Sequence, residues 1–257
     1  MLRVYRAERI AAWMRRQLVA SASRGFILGL SGGVDSAVVL RLAQLAAPGA
    51  TLGAILPCHS DPKDEEDAAL VAARFSAPTV RIDLSGAYDT LVATLQPALQ
   101  SAPRPVGPAA HPASSSERLP LAGIKPRLRM TTLYYAANSL NYLVAGTSNR
   151  SALAIGAFTK YGDGGSDLLP LGRLAKGEVR AMAAELGVPA SILGRPASAG
   201  LWIGQTDEEE MGFSYAELER YLDEGPETVP PALAMKIERL VRSSDHKRQL
   251  PPMPDPE

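Results

Sequence analysis

The stretch from Phe26 to Leu45, FILGLSGGVDSAVVLRLAQL, constrains the fold of this chain more than any other. It begins with a run of large apolar residues that is typical of a buried β-strand. It ends with Val38, Leu42 and Leu45 at helical spacing. Between the two lies a tight Ser-Gly-Gly turn. A strand that leads through glycines into a helix presents backbone N–H groups at the helix N-terminus, and phosphate groups commonly bind there. The sequence therefore predicts an anion site at this junction.

The residues after the turn indicate how such an anion is held. The commonest phosphate loop has a lysine after its last glycine, and here Asp35 follows instead. A carboxylate beside a phosphate is repulsive unless a cation lies between them, so Asp35 predicts a divalent cation. Mg²⁺ suits a site with one or two carboxylates and phosphate oxygens. The alternative is structural, with Asp35 and Ser36 only stabilising the first turn of the helix.

Short apolar runs alternate with helical patterns along the chain. The runs are GFILGL, ATLGAILP, TVRID and NYLVAGT. Strands that alternate with helices predict an α/β fold, here a doubly wound parallel sheet with helices on both faces. Ligands of such sheets bind beyond the carboxyl ends of the strands. Small and polar residues follow three of the runs, in LSGG, LPCHS and AGTSN, so we expect the site there.

Bulk composition excludes several classes of protein. Lys+Arg and Asp+Glu both number 27, so the balance of charge favours neither a nucleic-acid nor a membrane partner. A single cysteine excludes an internal disulfide and fits a cytoplasmic location. The first twenty residues interleave arginines with Ile10, Met14 and Leu18, which predicts an amphipathic surface helix rather than a signal peptide. We expect one domain over residues 1–257.

Two segments depart from this pattern. Residues 100–123 are rich in proline and serine and predict a flexible insert, or a lid over the site. Residues 244–257 follow an amphipathic helix and are typical of a C-terminal tail, which we expect to order over the active site if something binds it.

The S-G-G-x-D-S motif resembles the loop with which ATP pyrophosphatases hold the pyrophosphate end of ATP. Within that group, the stretches Phe158–Pro189 and Arg195–Leu222 resemble NAD synthetases, as do KPRLRMTTLYYAAN and DHKRQLPPMP. The resemblance spans nearly the whole chain except the proline-rich segment. It implies ATP-dependent amidation of nicotinic acid adenine dinucleotide (deamido-NAD) with ammonia, through an acyl-adenylate, to give NAD⁺, AMP and pyrophosphate.

The resemblance also implies roles for individual residues. The ATP site would consist of Gly29, Leu30, Ser31, Gly32, Gly33, Val34, Asp35, Ser36, Thr147, Lys176 and Ser198. Deamido-NAD would be bound by Arg129, Lys160, Asp167, His246 and Lys247, across the interface of a homodimer. Asp35, as the Mg²⁺ ligand, and Lys176 would be the catalytic residues.

One departure from the family pattern leaves alternatives open. NAD synthetases commonly carry a metal-binding glutamate after the Gly-Thr strand end, where this chain has Ala152. A non-catalytic nucleotide-binding protein of the same fold is therefore one alternative, and another adenylating enzyme of the loop family is a second. The synthetase resemblance leaves no room for a glutaminase domain. We therefore expect free ammonia, or ammonia from a separate glutaminase subunit, as the nitrogen source.

Overall fold

The computed structural model describes residues 2–102 and 118–255 and places a parallel sheet at their centre. Within the described residues, the strands follow the order β3-β2-β1-β4, and every neighbouring pair is parallel. The strands are β1 (Gly25–Gly29), β2 (Thr51–Ile55), β3 (Thr79–Arg81) and β4 (Tyr142–Val144). The four apolar runs of the sequence thus form the four strands, of which β3 and β4 have only three residues each.

Helices precede, connect and follow the strands. In chain order the described helices are α1 (Leu2–Ser21), α2 (Val34–Ala46), α3 (Pro62–Arg74), α4 (Ser85–Gln100), α5 (Arg118–Ala122), α6 (Ile124–Leu140), α7 (Arg150–Ile155), α8 (Lys176–Glu185), α9 (Ala190–Leu193), α10 (Asp207–Met211), α11 (Tyr215–Glu224) and α12 (Pro231–Ser243). A short 3₁₀ turn at Pro226–Thr228 lies between α11 and α12, and a second one at Asp245–Lys247 follows α12.

The side chains of β1 alternate between two hydrophobic cores, because successive residues of a strand point to opposite faces. Phe26 and Leu28 pack with α1, α2 and α8, whereas Ile27 packs with residues of α4 and α6. All three side chains are fully buried, and each contributes about 1.5–3 kcal/mol by leaving water. Helices therefore cover both faces of the sheet, and the predicted α/β fold is confirmed.

The amphipathic helix predicted at the N-terminus is α1. It buries Ala7, Ala11, Met14 and Leu18 in the core that also holds α2. None of the helices in the described ranges is long and apolar enough to cross a membrane.

The two segments that the sequence sets apart are described only in part. The predicted insert or lid over 100–123 falls largely on residues 103–117, which lie outside the described residues. Its described ends belong to α4 and α5. The predicted tail over 244–257 begins with the 3₁₀ turn at Asp245–Lys247, and residues 256 and 257 also lie outside the described ranges.

The loop after β1 packs its backbone directly on α3. Gly32 has a φ of 77°, which is in the left-handed region that side chains disfavour. A Cβ at this position would lie 2.5 Å from the carbonyl oxygen of Asp64 and 2.8 Å from the Cβ of Asp67. Glycine is therefore required both by the backbone conformation and by the close approach to α3.

Replacing Gly32 with alanine should destabilise the protein more than replacing Gly49. Gly49 is the matched control because it also has a φ of 77°, but nothing lies within 4 Å of the point that a Cβ would occupy there. Each substitution costs about 1–2 kcal/mol for the left-handed backbone, and Gly32→Ala should cost about 1–3 kcal/mol more because of the overlap with α3. Urea unfolding measures both free energies. Equal losses in the two variants would show that Gly32 does not pack against α3.

Candidate functional site

A cavity of about 680 Å³ lies at the carboxyl ends of the strands. Residues in the ranges 29–36, 54–62 and 144–149 form much of its wall, so the polar stretches that follow β1, β2 and β4 meet at one place. This is where the sequence pattern predicts the site. Sites for small organic ligands have volumes of about 300–1,000 Å³, so the cavity is large enough for a nucleotide.

The phosphate loop is shaped by its own hydroxyl groups. Ser36 Oγ donates to the carbonyl oxygen of Gly33 at 2.9 Å and accepts from the backbone N–H of Ser31 at 3.3 Å. Ser31 Oγ in turn accepts from the N–H of Gly33 at 3.3 Å. No side chain caps α2, which begins directly after Gly33. Its N-terminus therefore offers backbone donors and a favourable dipole to an anion in the cavity.

Asp35 in the first turn of α2 forms an ion pair with Lys176, which lies 141 residues further along the chain. The Oδ1 atom of Asp35 also accepts from the side-chain nitrogen of Asn149 at 3.2 Å. Both carboxylate oxygens thus bind groups from elsewhere in the fold. This speaks against the interpretation in which Asp35 only stabilises its own helix, and it brings the two predicted catalytic residues together.

Lys176 is buried and has an aromatic neighbour. Its side chain is 5% exposed, and its Nζ atom lies 5.6 Å from the centroid of the Tyr215 ring. The Tyr215 hydroxyl donates to Asp207 at 2.7 Å, and burial raises the pKa of this hydroxyl well above its usual value. Tyr215 therefore stays neutral and links the pair of Asp35 and Lys176 to the start of α10.

Asn149 orients Asp35, the candidate metal ligand. It is 2% exposed, and its Oδ1 atom caps α7 by accepting from the N–H of Ala152 at 3.0 Å, which leaves its amide group to donate to Asp35. The Ala152 side chain lines the cavity without offering a ligand.

The groups around Asp35 fit a metal ion that is held mainly by phosphate. Within the described ranges, no group of three or more His, Cys, Asp or Glu side chains is arranged to hold a metal ion. The Asp35 carboxylate is partly exposed, and one such carboxylate suffices for Mg²⁺, which keeps several water or phosphate ligands. Asp35 is accordingly the residue that would contribute a protein ligand.

A second set of cations lies on other parts of the cavity wall. Arg129 donates to the carbonyl oxygen of Leu56 and to Ser60 Oγ, both at 3.0 Å, and burial lowers the pKa of its guanidinium. Lys247 donates to the carbonyl oxygens of Gly156 at 2.7 Å and Phe158 at 2.9 Å, and burial lowers its pKa as well. Both cations line the cavity and bind neutral oxygen atoms.

The remaining predicted dinucleotide residues lie outside this wall. Lys160 donates to the backbone carbonyl of His246 at 2.5 Å, and the His246 side chain is exposed. Asp167 accepts from the N–H of Val144 at 2.7 Å and from the hydroxyl of Tyr134 at 3.1 Å. The structure therefore brings Arg129 and Lys247 to the cavity but leaves these three residues apart from it, and their role remains a prediction.

The other predicted ATP residues are divided in a similar way. Thr147 and Ser198 line the cavity, as do the loop residues except Gly32, whose backbone faces α3. The segment that carries Ser198 is fixed to α3 because Arg195 forms ion pairs with Asp64 and Asp67.

Sequence reasoning missed Asn149, Tyr215 and Asp207. An asparagine just before a helical stretch is a common N-cap, so Asn149 could have been found from its position. Tyr215 and Asp207 reach Lys176 through contacts between distant segments, for which the sequence carries no local signal.

Comparisons with known proteins agree with the geometry. The sequence profile of the NAD synthase family matches residues 6–251. The NH₃-dependent NAD⁺ synthetase of Carboxydothermus hydrogenoformans is 46% identical over 97% of this chain and 96% of its own length.

Solved structures are similar over nearly the full length. The NMN synthetase from Francisella tularensis has a TM-score of 0.87 and 33% identity, with 98% of each chain covered. The NAD⁺ synthetase from Burkholderia pseudomallei has a TM-score of 0.74 and 30% identity, with 97% of this chain and 91% of that chain covered.

Tyr134 provides a test of the contact that Asp167 makes. Burial and the neighbouring Asp167 carboxylate raise the pKa of Tyr134 to about 12 in the folded state, against a usual value of about 10. Because the folded state holds this proton more tightly, its contribution to stability is complete below pH ~10 and is lost as the pH rises through ~12. Asp167→Asn should lower this pKa in part.

The measurement is the ultraviolet absorbance of tyrosine phenolate as a function of pH. The variant Tyr134→Phe is the reference, because it removes the contribution of Tyr134 alone. If Asp167→Asn leaves the titration unchanged, the charge of the Asp167 carboxylate does not raise the pKa of Tyr134 in solution.

Proposed function

The chain belongs to the NAD synthase family, and from that premise we propose that it amidates deamido-NAD with ammonia in an ATP-dependent reaction. The geometry that best supports this proposal is the pair of Asp35 and Lys176 at a phosphate loop. The members of the pair come from distant parts of the chain and meet where a triphosphate would enter.

The reaction has two steps. A carboxylate oxygen of the nicotinate group attacks the α-phosphorus of ATP, and the bond from this phosphorus to the bridging oxygen breaks, so pyrophosphate leaves. Ammonia then attacks the carbonyl carbon of the acyl-adenylate, loses a proton and displaces AMP. Neither step needs a covalent bond to the protein, so positioning and charge stabilisation are what the chain has to supply.

Each part of the cavity has a place in this scheme. The amides at the start of α2 would bind the phosphates that leave as pyrophosphate. Lys176 lies beside the first turn of α2 and would offset the charge that develops at the α-phosphorus. Asp35 would hold Mg²⁺, which would supply further screening of the same charge. Arg129 and Lys247 would hold the dinucleotide at the other parts of the wall.

A second substrate is favoured by one observation. The solved structure with a TM-score of 0.87 is named an NMN synthetase. By the same chemistry, nicotinic acid mononucleotide would be amidated to NMN. The two substrates share the nicotinate ring and the ribose phosphate and differ in the adenylate half, so kcat/KM for each, measured side by side, decides which one the cavity prefers.

The function is tested with purified protein, ATP, Mg²⁺, ammonium and deamido-NAD. We expect NAD⁺ and pyrophosphate in equal amounts. We expect Asp35→Ala to abolish both products, because this substitution removes the metal ligand and leaves the buried Lys176 without its partner. Breaking a buried pair on one side costs about 3–5 kcal/mol, so the stability of this variant must be checked.

Asp35→Asn keeps the shape and serves as the second variant. If it retains nearly full activity, Asp35 is not the metal ligand. If the wild-type protein binds ATP but releases neither product, the non-catalytic alternative is correct. Replacing ammonium with glutamine in the same assay tests the nitrogen source, and we expect no turnover with glutamine unless a separate glutaminase is added.

We also propose that the chain acts as a homodimer through α4 and α6. The helix α4 buries none of its side chains, and Leu99 is 67% exposed. Tyr135 on α6, which packs beside α4, is 76% exposed. Apolar side chains on two adjacent helices are typical of a surface that a partner covers. The buried free Cys58 fits a reducing compartment, and we propose the cytoplasm.

Tyr135→Glu should convert the dimer into a monomer in sedimentation experiments, because it places a charge in the apolar surface. Val19→Glu is the matched control, since Val19 is 79% exposed but lies on α1, and it should leave the dimer intact. A wild-type protein that sediments as a monomer, or a Tyr135→Glu variant that sediments as a dimer, would contradict the proposed interface.

A further inference from the structure

The helix that carries Lys176 receives no side-chain cap from its N-cap residue, although Glu178 in its first turn accepts from the N–H of Ala175 at 2.8 Å. Its N-cap residue is Ala175, whose methyl group cannot accept a hydrogen bond. Residues from other parts of the chain bind the first N–H groups instead. Ser151 Oγ accepts from the N–H of Lys176 at 3.1 Å, and Glu219 Oε1 accepts from the N–H of Gly177 at 3.0 Å.

Glu219 joins three helices at this point. It lies on α11, and its Oε1 atom accepts both from the N–H of Gly177 on α8 and from Ser151 Oγ on α7, each at 3.0 Å. A Cβ at Gly177 would lie 3.0 Å from Glu219 Oε2, so the carboxylate covers the start of α8 closely. Glu219 is not part of the cavity wall and does not reach the site of the substrates.

The charge of Glu219 is also favourable there. A lysine at the first position of a helix is opposed by the positive end of the helix dipole. Lys176 is additionally buried, with 4% of the residue exposed, so water does not screen its charge well. The Glu219 carboxylate at the same helix end offsets the effect of the dipole and satisfies a backbone donor that would otherwise be lost.

We infer that Glu219 is a positioning residue for Lys176. It fixes the start of α8 through hydrogen bonds to Gly177 and Ser151, and thereby sets where the Lys176 ammonium group lies relative to Asp35. The expected effect on turnover rests on the proposed function, whereas the effect on the backbone of α8 does not. A displacement of about 1 Å in a catalytic group can cost on the order of 10²-fold in rate.

The test compares Glu219→Ala with Glu219→Gln. Glutamine keeps the oxygen that accepts both hydrogen bonds and loses only the charge. Asp223→Ala is the matched control, because Asp223 lies one turn further along α11 and binds Arg150 of α7 at 2.6 Å without touching α8. Each variant is measured for kcat, for the KM of ATP and for hydrogen exchange of the amides at the start of α8.

We expect Glu219→Ala to lower kcat on the order of 10–10²-fold with a smaller change in the KM of ATP, and to accelerate exchange at Gly177. Glu219→Gln should retain the protection and lose less than about fivefold in kcat, which is the effect of a helix-end charge alone. Asp223→Ala should match the wild type in all three readouts.

The inference is overturned if Glu219→Ala keeps wild-type kcat or wild-type exchange, or if glutamine and alanine lower kcat equally. If Glu219→Ala does not fold, Ser151→Ala removes the neighbouring hydrogen bonds and is held to the same criteria. If the wild-type protein forms no product, the proposed function fails, and the exchange measurement still decides the role of Glu219.

Discussion

A buried lysine at the first position of a helix is the constraint on which the rest of the cavity depends. The site of Lys176 is unfavourable in two ways, because the residue is desolvated and because the helix dipole repels its charge. Asp35 offsets the first effect through the ion pair, and Glu219 offsets the second at the helix end. Tyr215 covers the ammonium group with its ring. Three helices that are far apart in sequence, α2, α8 and α11, thus meet around one charged group.

The sheet provides the fixed side of this arrangement. Strand β1 lies between β2 and β4 with its apolar side chains fully buried, so the end of the strand and the loop that follows it have little freedom to move. The close contact of Gly32 with α3 fixes the loop from behind. Asp35 is therefore presented from a rigid part of the fold, whereas Lys176 depends on contacts made by α7, α10 and α11.

The sequence predicts β1, the loop after it and Asp35 well. It predicts the contacts that position Lys176 poorly. Periodicity and the glycine turn identify the strands, the loop and Asp35, because each depends on residues that are neighbours in the chain. The predicted roles of Lys176 and Arg129 depend on the family resemblance, because their local sequence does not distinguish a ligand-binding cation from a solvated one. Glu219 and Tyr215 have no local signal at all, because their partners lie on other helices. Lys160, Asp167 and His246 lie outside the cavity wall, and this too is visible only once the fold is known.

The separation of these residues along the chain has a consequence for synthesis. Asp35 precedes Lys176 by 141 residues, and Lys247 reaches back over 91 residues to Gly156. At about 5–20 residues per second, a ribosome that has made the phosphate loop needs roughly 7–28 s more to reach the lysine. During that time the nascent chain contains the phosphate loop and Asp35 but not Lys176, which offsets the charge of the Asp35 carboxylate. A chain that ends before residue 176 would therefore lack the ammonium group that pairs with the carboxylate of Asp35.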